Sequence, residues 1–244
     1  MVSKNQIKLI QKLQQKKYRF QHQMFIVEGK KSIIEFLQTN FDVEQIFVTE
    51  YFSEKLPKNK TIITTKEELK KISSLKNPDE GFAIFRIPKA QPIQHKGLIL
   101  ALDDIRDPGN LGTIIRLCDW FGIQQLVCSE ETVDCYNPKV VQASMGSLTR
   151  VNIHYTDLQD FFNNTTLPIY ATAMNGENVY QTHFPEDFIL IMGNEANGIS
   201  EKVFKFASKK ITIPRFGQLQ QTESLNVATA TAILLSEVRR NSQK

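Results

Sequence analysis

The sequence predicts an α/β protein, with a parallel-sheet domain in its C-terminal part and a small α/β domain before it. Three observations predict this. Short apolar runs alternate with amphipathic stretches along the 244 residues. The runs at 98–102 and 188–192 are apolar throughout, as in strands covered on both faces. Between the two parts, positions 88–96 carry two prolines and no apolar period, the composition of a linker. The expected division is 1–90, a connection at 91–97, and 98–244.

The elements follow in order. Lys4, Lys8, Lys12 and Lys16 recur every four residues, with Ile7, Ile10 and Leu13 on another face, so one helix is expected over 3–20. Strand 25–27, helix 28–37 and strands 45–49 and 61–64 come next. Thr65, with Glu68 three positions on, marks a capping box for a helix over 66–73. Strand 82–87 closes the first part. The second part reads strand 98–102, helix 111–121, strand 125–128, helix 139–146, strand 151–154, helix 157–162 and strand 169–173. Strand 188–192, helix 201–206, strand 211–213 and a helix over 224–240, capped by Ser224, complete it. Trp120 and Phe121 are expected in core or dimer packing rather than as a platform for bases.

Composition narrows the function. Hydrophobic residues make up 41% and charged residues 23%, ordinary for a globular protein, and no apolar run approaches a membrane span. The first residues are polar and lysine-rich with no apolar signal core, so a cytoplasmic protein is expected. Cys118, Cys128 and Cys135 are odd in number and fit no zinc spacing, and the four histidines are scattered, so no metal is expected. Residues 1–97 hold 18 Lys+Arg against 10 Asp+Glu, a net of +8; residues 98–244 hold 12 against 16, a net of −4. A basic part for a polyanion and an acidic part for a small cofactor is the division this suggests. The lysine stripe is either a solvated face or an RNA contact. Four like charges at that spacing repel, and phosphates would relieve the repulsion.

Three glycine-bearing polar loops each follow a strand and precede a helix: Asp107-Pro108-Gly109-Asn110-Leu111-Gly112, Gly193-Asn194-Glu195-Ala196-Asn197-Gly198, and Ile213-Pro214-Arg215-Phe216-Gly217 leading to Ser224-Leu225-Asn226-Val227. Such loops can converge at one edge of a parallel sheet. No G-x-G-x-x-G follows 98–102, which argues against a dinucleotide enzyme. In order and spacing the loops resemble the three motifs of the SpoU (TrmH-like) RNA ribose 2′-O-methyltransferases of the SPOUT superfamily. The first motif is Asn110, Gly112 and Arg116; the second is Gly193, Glu195 and Gly198; the third is Ile213, Pro214, Gly217 and 224–227. The chain departs from the family in a longer loop over 218–223 and in Arg215-Phe216 where a Met-containing pair is usual.

The resemblance implies a SPOUT domain with a C-terminal trefoil knot, a homodimer, and S-adenosylmethionine as methyl donor. It implies a ribose 2′-OH of structured RNA as acceptor, ribosomal rather than transfer RNA. The alternatives are a transfer RNA ribose methyltransferase and an RNA-binding or ribosome-assembly protein that has lost catalysis. The implied catalytic set is Asn110, Arg116, Glu195, Ser224 and Asn226. The implied cofactor contacts are Thr172, Ala173, Met174, Gly193, Asn194, Ile213 and Leu225. Glu195 serves either the loop's own amides or the reaction, and Arg116 acts either as a base or as a fixed cation. RNA contacts are assigned to Lys4, Lys8, Lys12, Lys16 and Arg19 in an α/β domain like the substrate-binding domain of many SpoU enzymes.

Overall fold

The computed structural model describes residues 2–49, 56–75, 78, 81–219 and 224–242. The chain forms two compact units. The first is Met1–Lys89 with Asp134–Thr149; the second is Ala90–Val133 with Arg150–Lys244. Residues 134–149, which sequence order counts with the second part, therefore belong to the first unit.

The first unit contains α1 (Lys4–Leu13), α2 (Lys16–His22), β1 (Met24–Glu28), α3 (Lys30–Leu37), β2 (Val43–Val48), β3 (Thr61–Ile63), α4 (Lys66–Ile72) and β4 (Gly81–Arg86). Its sheet runs β1-β4-β2-β3, with only β2 and β3 parallel. Ser3 and Thr65 each accept from the third helical backbone amide while Gln6 and Glu68 reach back, so both helices open on full capping boxes.

The single helix expected over 3–20 is two. Gln15 is extended (φ −104, ψ 135) and interrupts the run after Leu13. The cause is Arg19, which is 1% exposed. Its Nη1 donates to the Leu13 and Gln14 carbonyls, each at 2.9 Å, which satisfies the terminal oxygens of α1. Its Nε and Nη2 bind Asp134 Oδ2 at 2.8 and 2.5 Å. The 134–149 segment, with a helix at Pro138–Ser144 (α6 in chain order), also brings the Tyr136 ring to 4.8 Å from that of Phe25. Phe25 is fully buried against Phe36, Phe41 and Phe85 as well.

The second unit holds β5 (Leu98–Leu102), α5 (Pro108–Trp120), β6 (Gln125–Cys128), β7 (Asn152–Tyr155), α7 (Leu158–Asn163), β8 (Ile169–Asn178), β9 (Phe188–Met192), α8 (Glu201–Phe204), β10 (Lys209–Thr212) and α9 (Val227–Ser242). Six parallel strands run in the order β10-β8-β9-β5-β6-β7. β5 and β9 are neighbours in register from Leu98↔Phe188 to Leu102↔Met192, and both are buried throughout. The first and second motif loops therefore leave the sheet side by side.

β8 is longer than expected. Its pairing with β10 jumps from Lys210↔Ala171 to Ile211↔Glu177. Thr172, Ala173 and Met174 are thus off that ladder. The jump needs Gly176, where a Cβ would lie 2.5 Å from the Ile211 backbone. Trp120, expected in packing, is 84% exposed at the end of α5, so it is no part of this chain's own core. Among the described residues no helix is long and apolar enough to cross a membrane.

Candidate functional site

Asp107 caps α5, its Oδ1 accepting from the Asn110 amide at 2.8 Å, and Pro108 fills the first helical position. This sets Asn110 in the first turn. Its Nδ2 donates to Glu195 Oε1, and its Oδ1 accepts from Asn226 Nδ2 at 2.9 Å. Asn226 Oδ1 in turn accepts from the Ala228 and Thr229 amides at 3.0 and 3.2 Å. One relay, Asn226 to Asn110 to Glu195, ties together all three motifs. It also corrects the expected cap. The helix opens at Val227, so Asn226 caps it, and Ser224 is exposed two residues earlier.

The second motif loop is held by its own polar groups. Asn194 and Gly198 exchange backbone bonds at 3.0 and 2.8 Å, with Gly198 at φ +68. Asn194 Oδ1 accepts from the Ala196 and Asn197 amides, and its Nδ2 donates to the Asp104 carbonyl at 2.7 Å. A Cβ on Gly193 would lie 2.3 Å from the Gly198 carbonyl carbon, so only glycine fits. Asp103 is buried and accepts from both the amide and the hydroxyl of Ser200, each at 2.7 Å. Sequence reasoning missed Asp103 and Asp104. Their signal was two adjacent acids directly after an apolar strand.

The second and third motif loops, with 172–174, wall a cavity of about 1170 Å³, whose lining includes Glu195 but neither Asn110 nor Asn226. Thr172, Ala173 and Met174 line one side, and Gly193, Asn194 and Glu195 another. Ile213, Ser224 and Leu225 line a third, with Val227, Ala230 and Leu234 of α9 behind them. Every expected cofactor contact is in this lining. The walls are mostly apolar side chains and backbone, with the half-buried Glu195 carboxylate at one point. The apolar walls suit a purine nucleoside, and the Glu195 carboxylate and the Arg215 guanidinium are the charged groups among the described residues of the lining. Arg215 reaches from the third motif to within 3.8 Å of Met174 Sδ. The longer loop over 218–223 lies outside the described residues from 220 on.

Arg116 is not brought into the lining. It is exposed, six residues beyond Asn110 and so about 120° away from it around α5, and it has no hydrogen-bond or ion-pair partner among the described residues. Cys118, on the same helix, is fully buried, and burial pushes its thiol well above the ordinary range. No group of three or more His, Cys, Asp or Glu side chains among the described residues is placed to hold a metal.

Of the assigned RNA contacts, Lys4, Lys8 and Lys12 are exposed on α1 and Lys16 is exposed on α2, beyond the break. Lys12 and Lys17 lie 5.5 and 5.9 Å from the Tyr18 ring centroid. Arg19 is a correction: buried and spent on Asp134 and the end of α1, it offers nothing to a phosphate.

Residues 97–236 match the SpoU rRNA Methylase family, and residues 4–83 match the MRM3-like substrate binding domain. The chain is 28% identical to the 23S rRNA (guanosine(2553)-2′-O)-methyltransferase RlmP of Bacillus subtilis, across 97% of each. It is 31% identical over 62% of its length to a tRNA (guanosine(18)-2′-O)-methyltransferase of Aquifex aeolicus, covering 72% of that protein. A candidate TrmH-family RNA methyltransferase from Porphyromonas gingivalis superposes with TM-score 0.90 at 37% identity, covering 98% of this chain and 99% of that one. The AdoMet-bound rRNA methyltransferase of Sinorhizobium meliloti superposes with TM-score 0.85 at 28% identity, covering 98% and 97%.

Proposed function

We propose, for a chain that belongs to the SpoU rRNA methylase family, that it is an S-adenosylmethionine-dependent RNA methyltransferase acting on a ribose 2′-hydroxyl, with ribosomal RNA as substrate. The observation that carries this is the hydrogen-bonded relay Asn226–Asn110–Glu195, which meets the cavity at Glu195. Three loops far apart in sequence are locked there into one site. The full-length match to a 23S ribosomal RNA enzyme favours ribosomal over transfer RNA.

S-adenosylmethionine supplies an electrophilic methyl group on a sulfonium. Ile213 and Leu225, with the backbone of 193–198, would hold its adenosine; Thr172, Ala173 and Met174 close the other side. Glu195 accepts from Asn110 and fixes which way its amide points, and Asn226 holds the amide oxygen from behind. Asn110 is thereby preorganised to orient an incoming hydroxyl. Arg116, exposed and without a partner among the described residues, acts on what RNA brings. The planar guanidinium serves better as a fixed cation beside the ribose and its phosphate than as a base. The first unit, with its exposed lysines, binds the RNA, and the third motif is threaded as a trefoil knot. The protein works in the cytoplasm as a homodimer.

Calorimetry with S-adenosylmethionine and with its demethylated product tests the cofactor. Mapping of 2′-O-methyl positions in ribosomal RNA from a deletion strain tests the acceptor. Folded protein that binds neither compound overturns the reading.

A further inference from the structure

The second unit is acidic by count, yet its positive charge is not scattered. Five of the twelve lysines and arginines of 98–244, and none of its sixteen acids, fall within positions 202–215. The segment runs from α8 through β10 to the third motif. Lys202 and Lys205 lie three residues apart, on adjacent turns at α8, and both are exposed. The Lys205 ammonium is 5.3 Å from the Phe206 ring centroid, and that of Lys210 is 4.7 Å from the Phe204 centroid. Phe204 lines the cavity. Ring faces of this kind hold an ammonium in place without neutralising it. From Lys210 to Ile213, at the cavity, the strand covers about 10 Å. Lys209 differs. It leaves the other face of β10, 5.9 Å from the Tyr170 centroid and 3.6 Å from Glu177 Oε2.

We infer that Lys202, Lys205 and Lys210 form a track for the phosphates of the RNA strand leading to the reacting ribose, in addition to any contact made by the first unit. The inference rests on the methyltransferase reading above. Its chemistry is charge complementarity: three exposed cations near a cavity, two of them oriented by rings and with Glu201 as the acid at the start of α8, face a polyanion. A bland role exists for the same residues, because β10 is an edge strand and lysines discourage edge-to-edge pairing.

The test uses the full chain with each of the three residues changed to Gln, titrated with deproteinised ribosomal RNA over a range of salt. Each lost phosphate contact lowers the log–log salt slope by about 0.7 to 0.9, so the triple variant loses roughly two units or more. Binding of S-adenosylmethionine stays at the wild-type level. An unchanged slope with normal cofactor binding overturns the track and leaves the methyltransferase reading standing. Wild-type protein that binds no cofactor overturns that reading instead. Lys209→Gln keeps the wild-type slope, and an equal loss there would reduce the effect to general charge and overturn the track. Self-association of the triple variant with an unchanged slope would assign the lysines to edge protection only. If the triple variant does not fold, acetylation of wild-type lysines with and without RNA decides. Protection at 202, 205 and 210 supports the track, and modification equal in both states overturns it.

Discussion

At the scale of single residues, two positions separate binding from chemistry. Gly193 has no room for a side chain against Gly198 and Ile199. Overpacking against backbone costs about 1–3 kcal/mol, so Gly193→Ala weakens S-adenosylmethionine binding by roughly tenfold to a hundredfold. Calorimetry on the folded variant reads this, and wild-type affinity would show that the loop relaxes freely. Arg116 is the converse, being outside the cavity lining. Arg116→Ala keeps cofactor affinity and abolishes methyl transfer, as single-turnover assays on the substrate RNA report. Arg116→Lys keeps measurable turnover if charge is what matters. Full activity of the alanine variant removes Arg116 from the mechanism. The motif residues were legible in the sequence through the resemblance of three strand-to-helix junctions, in order and spacing, to the family's motifs. The cap of α9 was not. Ser224 and Asn226 are both good capping residues, and only the start of the helix at Val227 chooses between them.

At the scale of elements, the break between α1 and α2 shows what periodicity hides. Lysines every four residues continue through Gln15, and nothing local stops the helix. The stop is a buried guanidinium whose partner, Asp134, lies 115 positions away. Arg19→Ala leaves that carboxylate buried and unpaired, at a cost of about 3–5 kcal/mol in urea unfolding. Arg19→Met combined with Asp134→Leu recovers only part of the loss, because no charge is orphaned but the Leu13 and Gln14 carbonyls and the Tyr136 amide lose these partners. If the double variant is no better than the single one, the pair does more than balance charge. β7 offers a second test. His154 Nε2 is buried with no hydrogen-bond partner among the described residues, and burial holds the ring's pKa below its ordinary value of 6.5. The unfolded chain then binds the proton more readily, so stability is full above 6.5 and falls as pH drops through it. Melting temperature declines between about pH 7.5 and 5.5, and His154→Leu flattens the decline. An equal decline in the variant assigns it to other groups.

At the scale of the whole molecule, the order of strands in the larger sheet was not readable, because apolar runs specify burial and not neighbours. The adjacency of β5 and β9 is what brings two distant motifs within hydrogen-bond reach, Asn110 on Glu195. Trp120, 84% exposed, is available for contact in the proposed homodimer. Light scattering at micromolar concentration is expected to give the mass of two chains, and a single-chain mass refutes the dimer.

The first unit, finally, is discontinuous, and this bears on how the protein is made. Residues 1–89 leave the ribosome well before Asp134 and Tyr136, which close over Arg19 and Phe25. At about 5–20 residues per second the nascent chain waits several seconds with a bare guanidinium and an uncovered aromatic ring. Synthesis that pauses between 89 and 134 would therefore prolong exposure to chaperones and proteases. For the same reason a fragment ending at the linker would lack the groups that cover Arg19 and Phe25.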